Sequence, residues 1–247
     1  MNKKSVSECG GNAAKLHLVI LKKKHILVAI LCVAICCVFA LGGVGIAKAS
    51  GTPVYKYTVV IDPGHGGMDG GVVGAGGYKE SEFNLAMSKE LAQFLTDAGF
   101  RVVLTREDEN GLYDEEDVNK KRADMEKRKD IIVKTNPDFV ISIHANKFPG
   151  DSRRGAQTFF DGMSNDGKEL AENIQSGLNA LNAKYVGKEF SALKGDYFML
   201  KCTRKPSVIV ECGFLSNAED EKLLSDAEYR KRLAFAIYSG IVGYCEV

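Results

Sequence analysis

From Thr58 almost to the C-terminus, short apolar runs alternate with stretches of helical period, and this alternation limits the possible folds more than any other feature. Strand candidates are Thr58–Ile61, Arg101–Thr105, Phe139–His144, Ala156–Phe160 and Ser207–Glu211. A first helix is expected from the three- and four-residue spacing of Phe83, Met87, Leu91, Phe94, Leu95 and Ala98, closed by Gly99. A highly charged second helix should run from Glu116 to Lys134, a third from Asp166 to Leu181 and a last from Glu228 to Gly243. Strands that alternate with helices, and that are too apolar to face water, predict an α/β fold: a single three-layer domain with a largely parallel central sheet flanked by helices.

A different signal precedes the domain. Ile26 to Ala47 is an uncharged run of 22 residues behind Lys22, Lys23 and Lys24. About 20 apolar residues suffice to cross the hydrocarbon layer as a helix, and the lysines place the N-terminus on the cytoplasmic side. Ala47-Lys48-Ala49 also has the small-x-small form of a signal-peptidase site. Cleaved signal peptide and retained signal anchor both fit, and either exports the body of the chain. The organisation expected is a basic leader (1–25), the signal or anchor (26–47), a tether (48–57) and a catalytic domain (58–247).

Charge divides in the same place. Through Ser50 seven lysines face one glutamate, so the formal net charge of +1 is the sum of a +6 leader and a −5 body. The body's basic cluster, Lys120 to Lys129, is interleaved with Asp124 and Glu126 and lacks stacking aromatics, which argues against nucleic acid as a partner. Cys202, Cys212 and Cys245 are an odd set without CxxC spacing, so neither a disulfide framework nor a thiolate metal site is signalled.

Chemistry gathers at the strand ends. The first strand runs into Asp62-Pro63-Gly64-His65-Gly66-Gly67, and eight of the 14 residues from Gly64 to Gly77 are glycine. Asp69 stands where GxGxxG requires glycine, and no GxxxxGK[ST] occurs, so a phosphate cradle is excluded. The body has only two histidines, His65 and His144, each just past a predicted parallel strand, where open α/β sheets place their ligand crevices. Carboxylates at equivalent places are Glu80, with Glu82 as its competitor, and Glu211, which directly follows Val208-Ile209-Val210. A carboxylate there is costly unless a metal, a cation or hydrogen bonds compensate. Two histidines and one carboxylate make a zinc site of catalytic type, and a further carboxylate serves it as general acid/base. Asn146 and Arg128 are candidate substrate-binding residues, although capping and ion pairing are commoner fates for such positions. Ser216-Asn217-Ala218-Glu219 reads as a capping box.

Five blocks occur in order: Val59 to Gly67, Lys79-Glu80-Ser81-Glu82-Phe83-Asn84-Leu85, Leu104-Thr105-Arg106, Ser142 to Asn146, and Glu211-Cys212-Gly213-Phe214-Leu215-Ser216-Asn217. Together they resemble the zinc-dependent N-acetylmuramoyl-L-alanine amidases of bacterial cell-wall metabolism, over nearly all of 58–243. The resemblance implies that His65, Glu80 and His144 hold one catalytic Zn2+ and that Glu211 is the general acid/base. It selects Glu80 over Glu82, because Glu80 stands four residues before Asn84. The stretch Ser152 to Phe160 and the absence of wall-binding repeats look most like the spore-cortex, germination-specific branch. The implied partner is the peptidoglycan glycan strand with its stem peptide, the membrane being reached through 26–47. A wall-modifying deacetylase is implied in the same pathway, which leads to muramic-δ-lactam. The rival readings are another zinc peptidoglycan hydrolase, peptidase or deacetylase, and a non-catalytic wall-binding scaffold.

Overall fold

The computed structural model describes residues 55–246. The expected leader, the apolar run 26–47 and the tether as far as residue 54 lie outside the described residues. Among those described, no helix is long and apolar enough to cross a membrane.

The apolar runs form strands β1 (Thr58–Pro63), β2 (Arg101–Leu104), β3 (Phe139–Asn146), β4 (Gln157–Phe160) and β6 (Ser207–Phe214), with a two-residue β5 (Leu193–Lys194). The helices are α1 (Glu80–Asp97), α2 (Lys120–Thr135), α3 (Asn165–Tyr185), α4 (Phe198–Lys201), α5 (Ala218–Ser225) and α6 (Ala227–Cys245). The sheet order is β2-β1-β3-β6-β4-β5. The first four strands in that order are parallel, β4 runs antiparallel to β6, and β5 pairs parallel with β4. Strand alternation divides the core between the two faces. Val59 and Ile61 join Phe83, Leu91, Ile174 and Ile237 from α1, α3 and α6. Val60 instead joins Ile132 of α2, Val140 and Met199 of α4. The result is the three-layer α/β domain expected.

Topology places the functional site. From β1 the chain crosses to β2 on one side, then returns through α2 to β3 on the other side of β1. Connections that diverge from one strand leave a crevice at its C-terminal end. His65 follows β1 and His144 lies near the end of β3, so both face that crevice.

Local details differ from expectation for identifiable reasons. The charged helix starts at Lys120, because the Asn119 side chain accepts from Arg122 N at 3.0 Å and caps it. Upstream, Asp114 and Asp117 close their own turn, with Asp114 N donating to Asp117 Oδ2 at 2.7 Å. The capping box shifts by one residue. Asn217 Oδ1 accepts from Glu219 N and Asp220 N, while the Glu219 side chain turns outward to Arg154. Helix α4 and strand β5 are too short to carry a periodic signal.

Candidate metal centre

The loop after β1 brings its histidine back over the sheet. His65 adopts a left-handed backbone (φ 60°), and the next two residues, Gly66 and Gly67, also have positive φ. Such a backbone is uncommon outside glycine, so the surrounding structure must hold it. Two arginines do so. Arg106 donates to the carbonyls of Pro63, Gly64 and Ser81 at 2.9–3.0 Å. Arg128 of α2 donates to Asp62 at 2.8 Å, to Asp124 at 2.5 Å, and to the carbonyls of Pro63 and His65 at 2.6 Å each.

Arg128 therefore spends four of its five N–H donors on the protein. It touches the cleft floor, but the expectation of substrate contact rests on the single donor left over. Burial disfavours the Asp62 carboxylate, yet the Arg128 charge and the Ser142 and Thr105 hydroxyls outweigh it and hold its pKa below 3.8. Removing Arg128 strands two carboxylates, so Arg128→Met should cost about 3–5 kcal/mol of stability in urea denaturation. A substrate contact alone would leave stability unchanged.

Helix α1 begins at the third group. Glu80 is 3% exposed, and the N–H groups of Val72 and Ala145 donate to its carboxylate at 2.9 and 3.3 Å. Its Oε1 lies 3.2 Å from His65 Nε2 and 3.0 Å from His144 Nδ1. The glycines make this convergence sterically feasible. A Cβ on Gly64 would come within 2.1 Å of the His144 ring, and one on Gly71 within 2.5 Å of Glu80 Oε2. Glu82 is half-exposed and pairs with Lys79, so of the two candidate glutamates only Glu80 reaches the histidines.

The donor set fits a metal ion. One atom each from His65, Glu80 and His144 can be chosen so that all lie within 4.8 Å of one another, and two imidazoles with one carboxylate suit zinc. Without a cation, imidazole protons add to the Val72 and Ala145 N–H groups in satisfying Glu80. Its pKa falls far below the usual carboxylate range despite burial, because both histidines hydrogen-bond it. Burial alone would lower the His65 pKa, but the Glu80 and Asp69 carboxylates raise it.

Glu211 occupies the next strand, in register with His144. Its Oε2 is buried and has no hydrogen-bond partner, the condition of a group awaiting an ion, a water or a substrate. Burial, reinforced by the Glu80 charge, pushes its pKa up from 4.5 to about 7. Folding then favours the protonated acid, so the metal-free protein gains stability as pH falls from 7 towards 4.5. His65 acts in the same direction, since its contribution is complete below 6.5 and lost as pH rises through its raised folded value. The metal-free protein should thus be about 3 kcal/mol more stable at pH 5 than at pH 8. Urea titrations after chelation check this, and an equal stability at the two pH values contradicts it.

All four residues line one cleft of about 430 Å³, shared with Met68, Tyr113, Lys121, Asn146, Tyr197 and Phe198. The Asn146 side chain accepts from Lys147 N at 2.7 Å at the cleft edge. Nothing in the sequence marks the Tyr197–Phe198 wall, which comes from the short α4. Nor does it single out Asp69, whose carboxylate lies 3.1 Å from His65 Nδ1.

Residues 59–242 match the Amidase_3 family, described as N-acetylmuramoyl-L-alanine amidase. The germination-specific N-acetylmuramoyl-L-alanine amidase of Bacillus subtilis is 33% identical over 195 residues, covering 78% of this chain and 81% of that protein. The amidase AmiA of Escherichia coli is 30% identical over 244 residues, covering 80% and 78%. Among solved structures, the CwlD amidase of Clostridioides difficile, determined in complex with the GerS lipoprotein, superposes with a TM-score of 0.72. It is 37% identical, over 77% of this chain and 98% of that one.

Proposed function

The chain belongs to the Amidase_3 family of N-acetylmuramoyl-L-alanine amidases, and on that footing we propose that it hydrolyses the muramoyl–L-alanine amide of peptidoglycan at a zinc ion held by His65, Glu80 and His144. The observation that carries this reading is the convergence of those three ligand atoms beside a buried carboxylate, Glu211, with an unpartnered oxygen. When bound, zinc supplies a Lewis acid that polarises the scissile carbonyl and lowers the pKa of a water to about 7. Glu211 takes the proton of the attacking water and delivers it to the leaving nitrogen of L-alanine. Burial disfavours the ionised form of Glu211, which suits a carboxyl that must both take up and release a proton. Asn146, at the cleft edge, is proposed to bind the substrate.

The spore-cortex role rests on the similarity to the germination-specific relative. Removing the stem peptide leaves a free lactyl carboxylate on muramic acid. Closing a δ-lactam then needs the neighbouring C2 amine, so a deacetylating reaction must act on the same sugar. Residues 1–25, 26–47 and 48–57 are proposed as basic leader, export segment and tether, with 58–247 as the catalytic domain acting outside the cytoplasmic membrane.

Mass spectrometry of muropeptides after incubation with the full chain, with and without zinc, tests the reaction. New L-alanine amino termini and intact, peptide-free muramic acid are expected. Released acetate would instead indicate a deacetylase, cleavage within the peptide a peptidase, and zinc binding without turnover a scaffold.

A further inference from the structure

We propose that Asp69 is a positioning residue that fixes His65 in the tautomer protonated at Nδ1, leaving the Nε2 lone pair aimed at the metal position. The inference rests on the zinc site proposed above. His65 uses its two ring nitrogens differently. Nε2 faces Glu80 at 3.2 Å, inside the ligand cluster, whereas Nδ1 lies 3.1 Å from Asp69 Oδ2 on the opposite edge of the ring. A neutral imidazole can offer a lone pair at one nitrogen only if the other carries the proton. Asp69 Oδ2 accepts that proton's hydrogen bond, so the ligand lone pair falls on Nε2. Carboxylates in this relation to a metal-bound histidine fix its tautomer and raise its basicity.

Asp69 is itself held in place. Its backbone exchanges two hydrogen bonds with Gly66, Gly66 N donating to Asp69 O at 2.8 Å and Asp69 N to Gly66 O at 3.2 Å. Its Oδ1 accepts from Gly71 N at 3.2 Å, and Lys121 of α2 stands 3.3 Å from Oδ2. The turn thus returns the carboxylate to the very imidazole it follows. Helix α2 serves the loop twice, through Lys121 on Asp69 and Arg128 on the His65 carbonyl.

The chemistry of asparagine separates this role from a merely structural one. Asp69→Asn keeps an oxygen for Gly71 N but sets an amide N–H₂ against His65 Nδ1. That favours the opposite tautomer, with the proton on the nitrogen that should bind metal. Asp69→Ala removes all three side-chain contacts, to His65, Gly71 N and Lys121, and leaves the tautomer free. Zinc affinity of the full-length chain is measured by competition with a chromophoric chelator, and the melting temperature is measured on the metal-free form. Asp69→Asn should bind zinc about 10–100-fold more weakly than the natural chain, and more weakly than Asp69→Ala. The metal-free melting temperatures should fall in the reverse order, Asp69→Ala losing more. Affinity of Asp69→Asn within twofold of the natural chain, or a zinc ranking that follows melting temperature, overturns the inference. If Asp69→Asn does not fold, Asp69→Ala alone decides, a tenfold loss supporting the role and a change within twofold refuting it. A natural chain that holds no zinc overturns this inference together with the metal reading itself, whereas one equivalent of zinc with unaffected variants overturns only the role of Asp69.

Discussion

Glu211→Gln is expected to lower kcat by about 10²–10⁴-fold while the protein keeps one equivalent of zinc. The side chain follows three β-branched residues, Val208, Ile209 and Val210, each at most 4% exposed, and it pairs in register with His144. Glutamine preserves that shape and removes only the ability to gain and lose a proton. Because Glu211 is not among the three proposed ligands, metal content should be unchanged, which separates proton transfer from metal binding. The same substitution removes the group whose pKa burial raises to about 7. Metal-free Glu211→Gln should therefore show a smaller stability difference between pH 5 and pH 8 than the natural protein. Turnover at the natural rate, measured by muropeptide release, would move the proton shuttle to another residue.

The parts of the site that are legible in the sequence are those fixed by strand ends. His144 and Glu211 follow directly on runs of apolar, largely β-branched residues, which locates each near the C-terminal end of a buried strand, although β3 runs on to Asn146 and β6 to Phe214, past the expected ends. Parallel pairing then sets them side by side. Glu80 is harder, since a glutamate in the first turn of a helix is favoured by the dipole alone. Only the return of the Gly64–Gly77 loop shows that it turns inward, and Glu82 outward. Arg128 illustrates what periodicity conceals. In a helix with so many charges, nothing in the spacing marks the one arginine that is 1% exposed, because its partner Asp62 is 66 residues away. Asp69 is hidden for the opposite reason: its partner is only four residues away, but across a turn whose geometry depends on left-handed backbone at His65 and Gly67. The antiparallel β4 and the aromatic wall at α4 likewise depend on packing between segments distant in sequence.

Removal of the metal is expected to abolish hydrolysis, and added zinc to restore it. Glu80 would lose the cation but keep the Val72 and Ala145 N–H groups and gain imidazole protons, an arrangement the structure permits at 3.0 and 3.2 Å. The apo site should consequently persist as a fold while losing the Lewis acid, so reconstitution needs no refolding. Zinc that binds only the folded state stabilises it by about 4 kcal/mol at a thousandfold excess over its dissociation constant. Its contribution depends on pH with a definite sign. Below the raised folded pKa of His65, protons compete for the ligand nitrogen and simultaneously stabilise the metal-free form. Above it the nitrogen is free, and the buried Glu211 carboxylate, ionised above about 7, gains a neighbouring cation. The increment in melting temperature on adding zinc should therefore be larger at pH 8 than at pH 6, and His144→Ala should remove most of it at both. Hydrolysis that survives exhaustive chelation, or a zinc increment unchanged by His144→Ala, would falsify the assignment of the metal to these residues.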